Sequence, residues 1–132
     1  SCLLEKHLIT PTKKRLTPNQ LSTGLLAWKV VKHTKSNAIV VAKNNKIISI
    51  SGGQTSRVDA TKIAFEKTKI PKGCVVASDA FFPFKDSIEK MAQYNIAAII
   101  QPGGSIRDKE VVESCNKNKI AMAFTGFRVF KH

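Results

Sequence analysis

Arginines and phenylalanines stand here in stretches broken by glycine, serine and proline, a combination that suits anions and flat rings. Ser51-Gly52-Gly53-Gln54-Thr55-Ser56-Arg57 pairs a glycine turn with an arginine at a predicted helix start. Free N–H groups at a helix N-terminus and a guanidinium fork suit a phosphate or a carboxylate. An ordinary glycine turn before a capped helix has the same sequence. Ala77-Ser78-Asp79-Ala80-Phe81-Phe82-Pro83-Phe84-Lys85-Asp86 gathers three of the seven phenylalanines into four positions beside a proline. Loops are normally polar, and aromatic platforms stack flat heterocycles. Phenylalanines tucked under a neighbouring helix, with Asp86 acting only as its cap, are the alternative. Gln101-Pro102-Gly103-Gly104-Ser105-Ile106 offers bare backbone amides for close approach to a ligand, as a plain turn also would. The stretch from Thr125 carries Arg128 and ends on His132, either as an exposed tail or as part of a site.

Catalytic constellations are scarcer than binding ones. His7, His33 and His132 are far apart, no Ser/His/Asp spacing is evident, and the His-x-Glu with Pro-Cys-x-x-Cys pattern of a zinc deaminase is missing. Cys2, Cys74 and Cys115 are odd in number and widely spaced, so they form neither a disulfide framework nor a metal clip. The residues point to part of an active site for anionic small molecules.

The elements that would position these residues alternate. Thr17-Pro18 is a helix start with threonine as N-cap, and Leu21, Leu25, Trp28 and Val31 then recur at helical spacing as a core face. Runs 38–42 and 46–50 flank Asn44-Asn45, which reads as a β-hairpin with a positive-φ turn. Helix 58–67 and strand 74–77 follow, then helix 86–94 and strand 96–100, then helix 108–115 and strand 120–124. Alternation of this kind implies crossovers and a largely parallel sheet covered on both faces. Ser56-Arg57-Val58-Asp59, Asp86-Ser87-Ile88-Glu89 and Ser105-Ile106-Arg107-Asp108 each fit a capping box or a looser relative of it. Loops leaving the carboxyl ends of parallel strands gather at one edge, where ligands bind.

A chain of 132 residues with 42% hydrophobic content supports one domain with a single core. Its apolar runs fall far short of the ~20 residues of a membrane helix, and the amino-terminal residues lack the layout of a secretory signal, so the expected location is the cytoplasm. The net charge of +13 raises nucleic-acid binding as a second reading. Lysines scattered along the chain, with no arginine-rich tract and only four arginines in all, argue against it.

Five ordered segments resemble one family. Lys32-His33-Thr34-Lys35-Ser36-Asn37, Gly53-Gln54-Thr55-Ser56-Arg57, Ser78-Asp79-Ala80-Phe81-Phe82-Pro83-Phe84, Pro102-Gly103-Gly104-Ser105-Ile106-Arg107-Asp108 and Phe124-Thr125-Gly126-Phe127-Arg128 are similar to the C-terminal part of the bifunctional AICAR formyltransferase/IMP cyclohydrolase family. The resemblance spans nearly the whole chain. It implies a cytidine-deaminase-like three-layer α-β-α sandwich with a mixed, largely parallel sheet and an N-terminal helix plus β-hairpin. Residues 1–132 would be the second of two such repeats, with the first repeat and the cyclohydrolase domain absent.

The implied reaction transfers formyl from 10-formyltetrahydrofolate, as co-substrate, to the 5-amino group of AICAR in the synthesis of IMP. The family implies no metal, and it works as a homodimer. By position, Asn37, Arg57, Phe81 and Arg128 would contact AICAR, Arg128 toward the 5′-phosphate. Val58, Pro83, Phe84, Asp86, Ser105 and Ile106 would face the folate, with Asp86 hydrogen-bonding the pterin and Phe84 packed beside it. The family's proton-shuttling Lys-His pair lies in the first repeat, so Lys32-His33 is not taken for it, and no catalytic residue is assigned. His132 matches the family's terminal histidine as an auxiliary group. Lys131 and Ser51-Gly52 depart from the family's usual histidine or arginine and Gly-Ala. The expected partners are AICAR, formyl folate and the upstream part of the enzyme, with neither membrane nor nucleic acid, and this segment alone is expected to be inactive.

Overall fold

The computed structural model describes residues 8–53, 57–66, 69–80 and 85–126, and residues 57–59 through their backbone alone. Helix α1 (Pro18–Lys32) starts as its sequence dictates. Thr17 Oγ1 accepts from Gln20 N at 3.1 Å and Gln20 Oε1 accepts from Thr17 N at 3.0 Å, a full capping box with proline at the first helical position. Strands β1 (Ile39–Lys43) and β2 (Lys46–Ser51) form the expected hairpin, with Asn44 and Asn45 at φ 49° and 60°. The alternation then continues through α2 (Arg57–Glu66), β3 (Val75–Ser78), α3 (Lys85–Ala92), β4 (Ala98–Gln101), α4 (Asp108–Lys117) and β5 (Ala121–Phe124).

The sheet order is β2-β1-β3-β4-β5. β1 is antiparallel to both β2 and β3, whereas β3-β4 and β4-β5 pair in parallel, so four of the five strands run one way and only β1 runs back. The reversal comes from the tight hairpin, which cannot join parallel strands. Each later connection is a crossover that advances in one direction across the sheet. Right-handed crossovers of that kind leave their helices on a single face. One core accordingly joins Ile39, Val41, Val76, Ile99 and Met122 to α2, α3 and α4, and the other face packs Val40, Ala77, Ile100 and Ala123 against α1. Among the described residues the result is a three-layer sandwich, with one helix below the sheet and three above.

Residue size separates the two faces. The side under α1 carries Ala42, Ala77, Ala98, Ala121 and Ala123, which let α1 sit close. Gly24 completes the fit, because a Cβ there would collide with Ile100 Cδ1 and stand 3.3 Å from Val75 Cγ1. The outer edge of β5 is partly covered by the entering chain. Ile9 N donates to Phe124 O at 3.0 Å, Phe124 N donates back to Ile9 O at 2.7 Å, and Met122 N donates to Thr12 Oγ1 at 2.9 Å.

Boundaries move modestly from those expected. Strand 96–100 becomes Ala98–Gln101, because Asn95 turns the chain at φ 57°. The helix expected over 86–94 spans Lys85–Ala92, after which Tyr94 N donates to Met91 O at 3.0 Å in a closing turn. Cys74 and Cys115 are buried free thiols, and Cys2 lies outside the described residues. Among the described residues, no helix is long and apolar enough to cross a membrane.

Candidate functional site

The common direction of β2 to β5 puts their carboxyl ends at one edge of the sheet, and the reversed β1 brings its amino end there too. Ile39 lies opposite both Ser51 and Ser78 in the ladders. Segments 34–38, 51–53, 78–80, 101–107 and 124–126 therefore share this edge with the first turns of α2, α3 and α4. Stretches separated by up to ~90 residues in sequence meet within a few strand spacings of about 4.8 Å.

Hydrogen bonds lace the loops together. Gly53 N donates to Lys35 O at 2.7 Å, and Gly52 packs so closely that a Cβ would collide with Thr34 Cγ2 and stand 3.0 Å from Lys35 O. Ala38 N donates to Asp79 Oδ1 at 3.2 Å, so the aspartate after β3 holds the chain entering β1. Thr125 N donates to Gln101 O at 2.9 Å and Gly126 N to Pro102 O at 3.0 Å, joining the loops after β4 and β5. Gly103, at φ 78°, has Phe124 Cγ 2.8 Å from where a Cβ would stand, so glycine is required both by its backbone and by the close approach.

One cavity adjoins this edge, and a second runs from it along the helices toward the opposite edge. One of about 300 Å³ lies between the end of α1 and the loops, lined by Trp28, Lys32, Thr34, Ser36, Asp79 and Thr125 among others. Thr125 is fully buried there, and its hydroxyl finds no hydrogen-bond partner among the described residues. Buried hydroxyls are rarely left so, which marks a polar point facing the cavity. The other, about 660 Å³, is a cleft between α2 and α3 lined by Thr61, Lys62, Glu66, Asp86, Lys90 and Tyr94 among others.

A family model described as "AICARFT/IMPCHase bienzyme" matches residues 3–67. The chain is 54% identical over 134 residues to the bifunctional purine biosynthesis protein PurH of Aquifex aeolicus, covering 98% of this chain and 26% of that protein. The protein of the same name from Petrotoga mobilis is 59% identical over 129 residues, covering 97% of this chain and 25% of the relative. The chain belongs to the AICARFT/IMPCHase bienzyme family. It spans about a quarter of the length of the curated relatives it matches, 26% in the first case. These relatives are named as bifunctional proteins of purine biosynthesis.

The residues that the family resemblance singled out fall unequally on the described structure. Asn37 is half-buried in the loop before β1, following a cis peptide bond from Ser36. Arg57 and Val58 open α2 at the site edge, with their side chains outside the described residues. Asp86 is exposed in the first turn of α3 and faces the larger cleft. Ser105 Oγ accepts from Arg107 N at 3.1 Å, and Ile106 is 99% exposed, an unusual position for a large apolar side chain. Phe81, Pro83, Phe84, Arg128, Lys131 and His132 lie outside the described residues.

The capping expectations are partly corrected. Asp86 lies inside α3, which begins at Lys85, and does not occupy the N-cap position. At α4 the N-cap is Arg107, whose side chain makes no capping bond, and Asp108 Oδ2 reaches back to accept from Gly104 N at 2.7 Å. That contact is the looser relative of the box, and it braces the glycine loop. Ser56 lies outside the described residues. Trp28, Asp79, Gln101 and Thr125 belong to the edge but were not singled out as site residues. Trp28 was read as core, which at 4% exposure it also is, and Gln101 signals itself only as a polar residue closing an apolar strand.

Proposed function

We propose that this chain supplies AICAR- and folate-binding residues to an AICAR formyltransferase, and that the catalytic Lys-His pair comes from an upstream portion. The carrying observation is the convergence on one sheet edge of Asn37, the first turn of α2 with Arg57, Asp86, and the Gly103–Ile106 loop. These are the positions the family resemblance assigns to the two substrates, and chemistry divides them sensibly. Arg57 and Arg128 provide charge and fork-like donors for an anionic nucleotide. Asp86 is a carboxylate able to accept hydrogen bonds from the N–H groups of a pterin, and exposed Ile106 gains a partner when a folate covers it.

In the reaction, the 5-amino nitrogen of AICAR attacks the formyl carbon, the bond from that carbon to N10 of the folate breaks, and tetrahydrofolate leaves. The amine proton departs and N10 gains one. This chain's own groups orient the two substrates, and proton movement falls to the pair supplied from outside. Holding two reactants in line contributes a large share of such a rate.

Titration of the chain with AICAR and with a folate analogue, separately and together, is the test. Each ligand should bind saturably, and Arg57→Ala should weaken AICAR about tenfold, the loss of one charge-assisted contact, while leaving the folate analogue unchanged. Binding of neither ligand at millimolar concentration, together or apart, would sink the reading.

A further inference from the structure

Along the sequence the lysines look evenly spread, but the fold sorts them. Strands β2 to β5 run one way and α2 to α4 run back, so helix ends and the loops entering parallel strands lie at the amino edge, opposite the candidate site. Lys43 and Lys46 flank the hairpin turn, Lys69 and Lys72 precede β3, and Lys117 and Lys119 precede β5. Lys43 Nζ donates to Lys72 O at 2.6 Å, and Lys13 joins the row by donating its N–H to Asn116 Oδ1 at 2.9 Å. Glu66, at the end of α2, is the carboxylate that the elements bring to this edge. Asp79, Asp86, Asp108 and Glu110 sit at the other edge, in a loop or in first turns where a helix N-terminus favours negative charge. The row crosses four inter-strand gaps of about 4.8 Å, roughly 19 Å in all.

The chemistry of this edge selects among anionic partners. Protein interfaces are depleted in lysine and built around apolar anchors. Among the described residues the exposed large apolar side chains are Ile9, Ile63 and Ile106, and none is at the amino edge. Asn44, Asn45, Asn95 and Asn118 lie between the lysines; Asn118 Nδ2 already donates to Ser114 O at 2.8 Å and Asn45 Oδ1 accepts from Ser22 Oγ at 2.7 Å, and the remaining amide N–H groups, like lysine ammoniums, are donors to phosphate oxygens. Exposed Arg15, two residues after Lys13, adds one guanidinium to the row, and half-buried Tyr94, next to Asn95, packs its ring on Phe65 with centroids 4.8 Å apart, so the described row offers mostly lysine point charges for phosphate and little for reading a base. We infer that the amino edge binds the phosphodiester backbone of nucleic acid without regard to sequence. The inference is independent of the folate reading, because it uses the opposite edge.

Fluorescence anisotropy with a labelled single-stranded oligonucleotide of mixed sequence tests it, run from about 50 to about 200 mM salt, where counterion release makes such binding steeply salt-dependent. The triple variant Lys46→Glu, Lys69→Glu, Lys117→Glu should bind about tenfold or more weakly and flatten the log–log salt slope by about 2. A control triple, Lys29→Glu, Lys62→Glu, Lys109→Glu, has the same net charge with the changes placed away from this edge, and should stay near wild type. Lys46→Gln, Lys69→Gln, Lys117→Gln removes charge without adding repulsion and should weaken binding in the same direction, whichever triple folds better. Equal losses from the edge and control triples would mean bulk charge and overturn the inference. So would the absence of binding at the lowest salt. Competition by polyglutamate as strong as by the oligonucleotide would assign the edge to an acidic protein instead, and would also overturn it.

Discussion

Asp86 and Asp108 occupy matching places, each in the first turn of a helix leaving the carboxyl edge, and Asp108 is committed to its own loop. Its Oδ2 holds Gly104 N at 2.7 Å. Asp108→Asn should speed hydrogen exchange at the Gly104 amide and lower unfolding free energy by about 1 kcal/mol, the usual worth of such a bond. Asp86→Asn, at an exposed position, should leave stability within about 0.5 kcal/mol, while weakening a folate analogue about tenfold if the proposed reading holds. Sequence shows the same acid-after-turn pattern for both. That Asp108 braces its loop depends on the position of an amide four residues away, which spacing alone does not reveal. Among the thiols, burial raises Cys74, and it pushes Cys115 up to about 12 from 9.0. With the folded value above the unfolded one, the stability tied to Cys115 is complete below pH 9 and is lost as pH climbs toward 12. Chemical denaturation at stepped alkaline pH should show this fall in the wild type and a shallower one in Cys115→Ala.

At the scale of elements, α1 and the hairpin were legible because both announce themselves locally, through Thr17-Pro18, a helical apolar face, and paired asparagines. The three later strand–helix pairs were legible as alternation, with ends misplaced by a residue or two. Gly24 was not legible as a packing residue, since a glycine inside a helix shows only its propensity cost until the facing Ile100 is known. Gly24→Ala should therefore destabilise by about 1–3 kcal/mol through overpacking, despite alanine's better helix propensity. Pairing it with Ile100→Val, which removes the colliding Cδ1, should recover part of that loss in a double-mutant cycle followed by urea denaturation. The contact between Ile9 and Phe124 was equally silent, because no local period links residues 115 apart (|124−9|).

For the whole molecule, direction is the organising fact. Helices α2 to α4 all begin at the carboxyl edge, which collects first-turn acids and glycine loops, and all end at the amino edge, which collects lysines. Neither segregation could be read from a linear scatter of charge, whereas the described parts of the five family motifs fall together at the carboxyl edge. On the proposed reading this edge is a shared one. Assayed alone, the chain should form no detectable formyl-AICAR, and mixing it with the upstream region of a relative should restore turnover, with product formation followed by chromatography. Turnover by the isolated chain at an intact enzyme's rate would contradict a divided site.

The strand order β2-β1-β3-β4-β5 also has a bearing on how the molecule is made. Apart from the hairpin, position in the sheet follows the order of synthesis, and α1, which packs beneath β1, β3 and β4, is made before all of them. Each strand leaving a ribosome would thus find its neighbour already paired and a helix already waiting under it, so assembly can advance in step with translation. The exception is the segment around Ile9, made before these strands and docked after them, since its partner Phe124 belongs to β5.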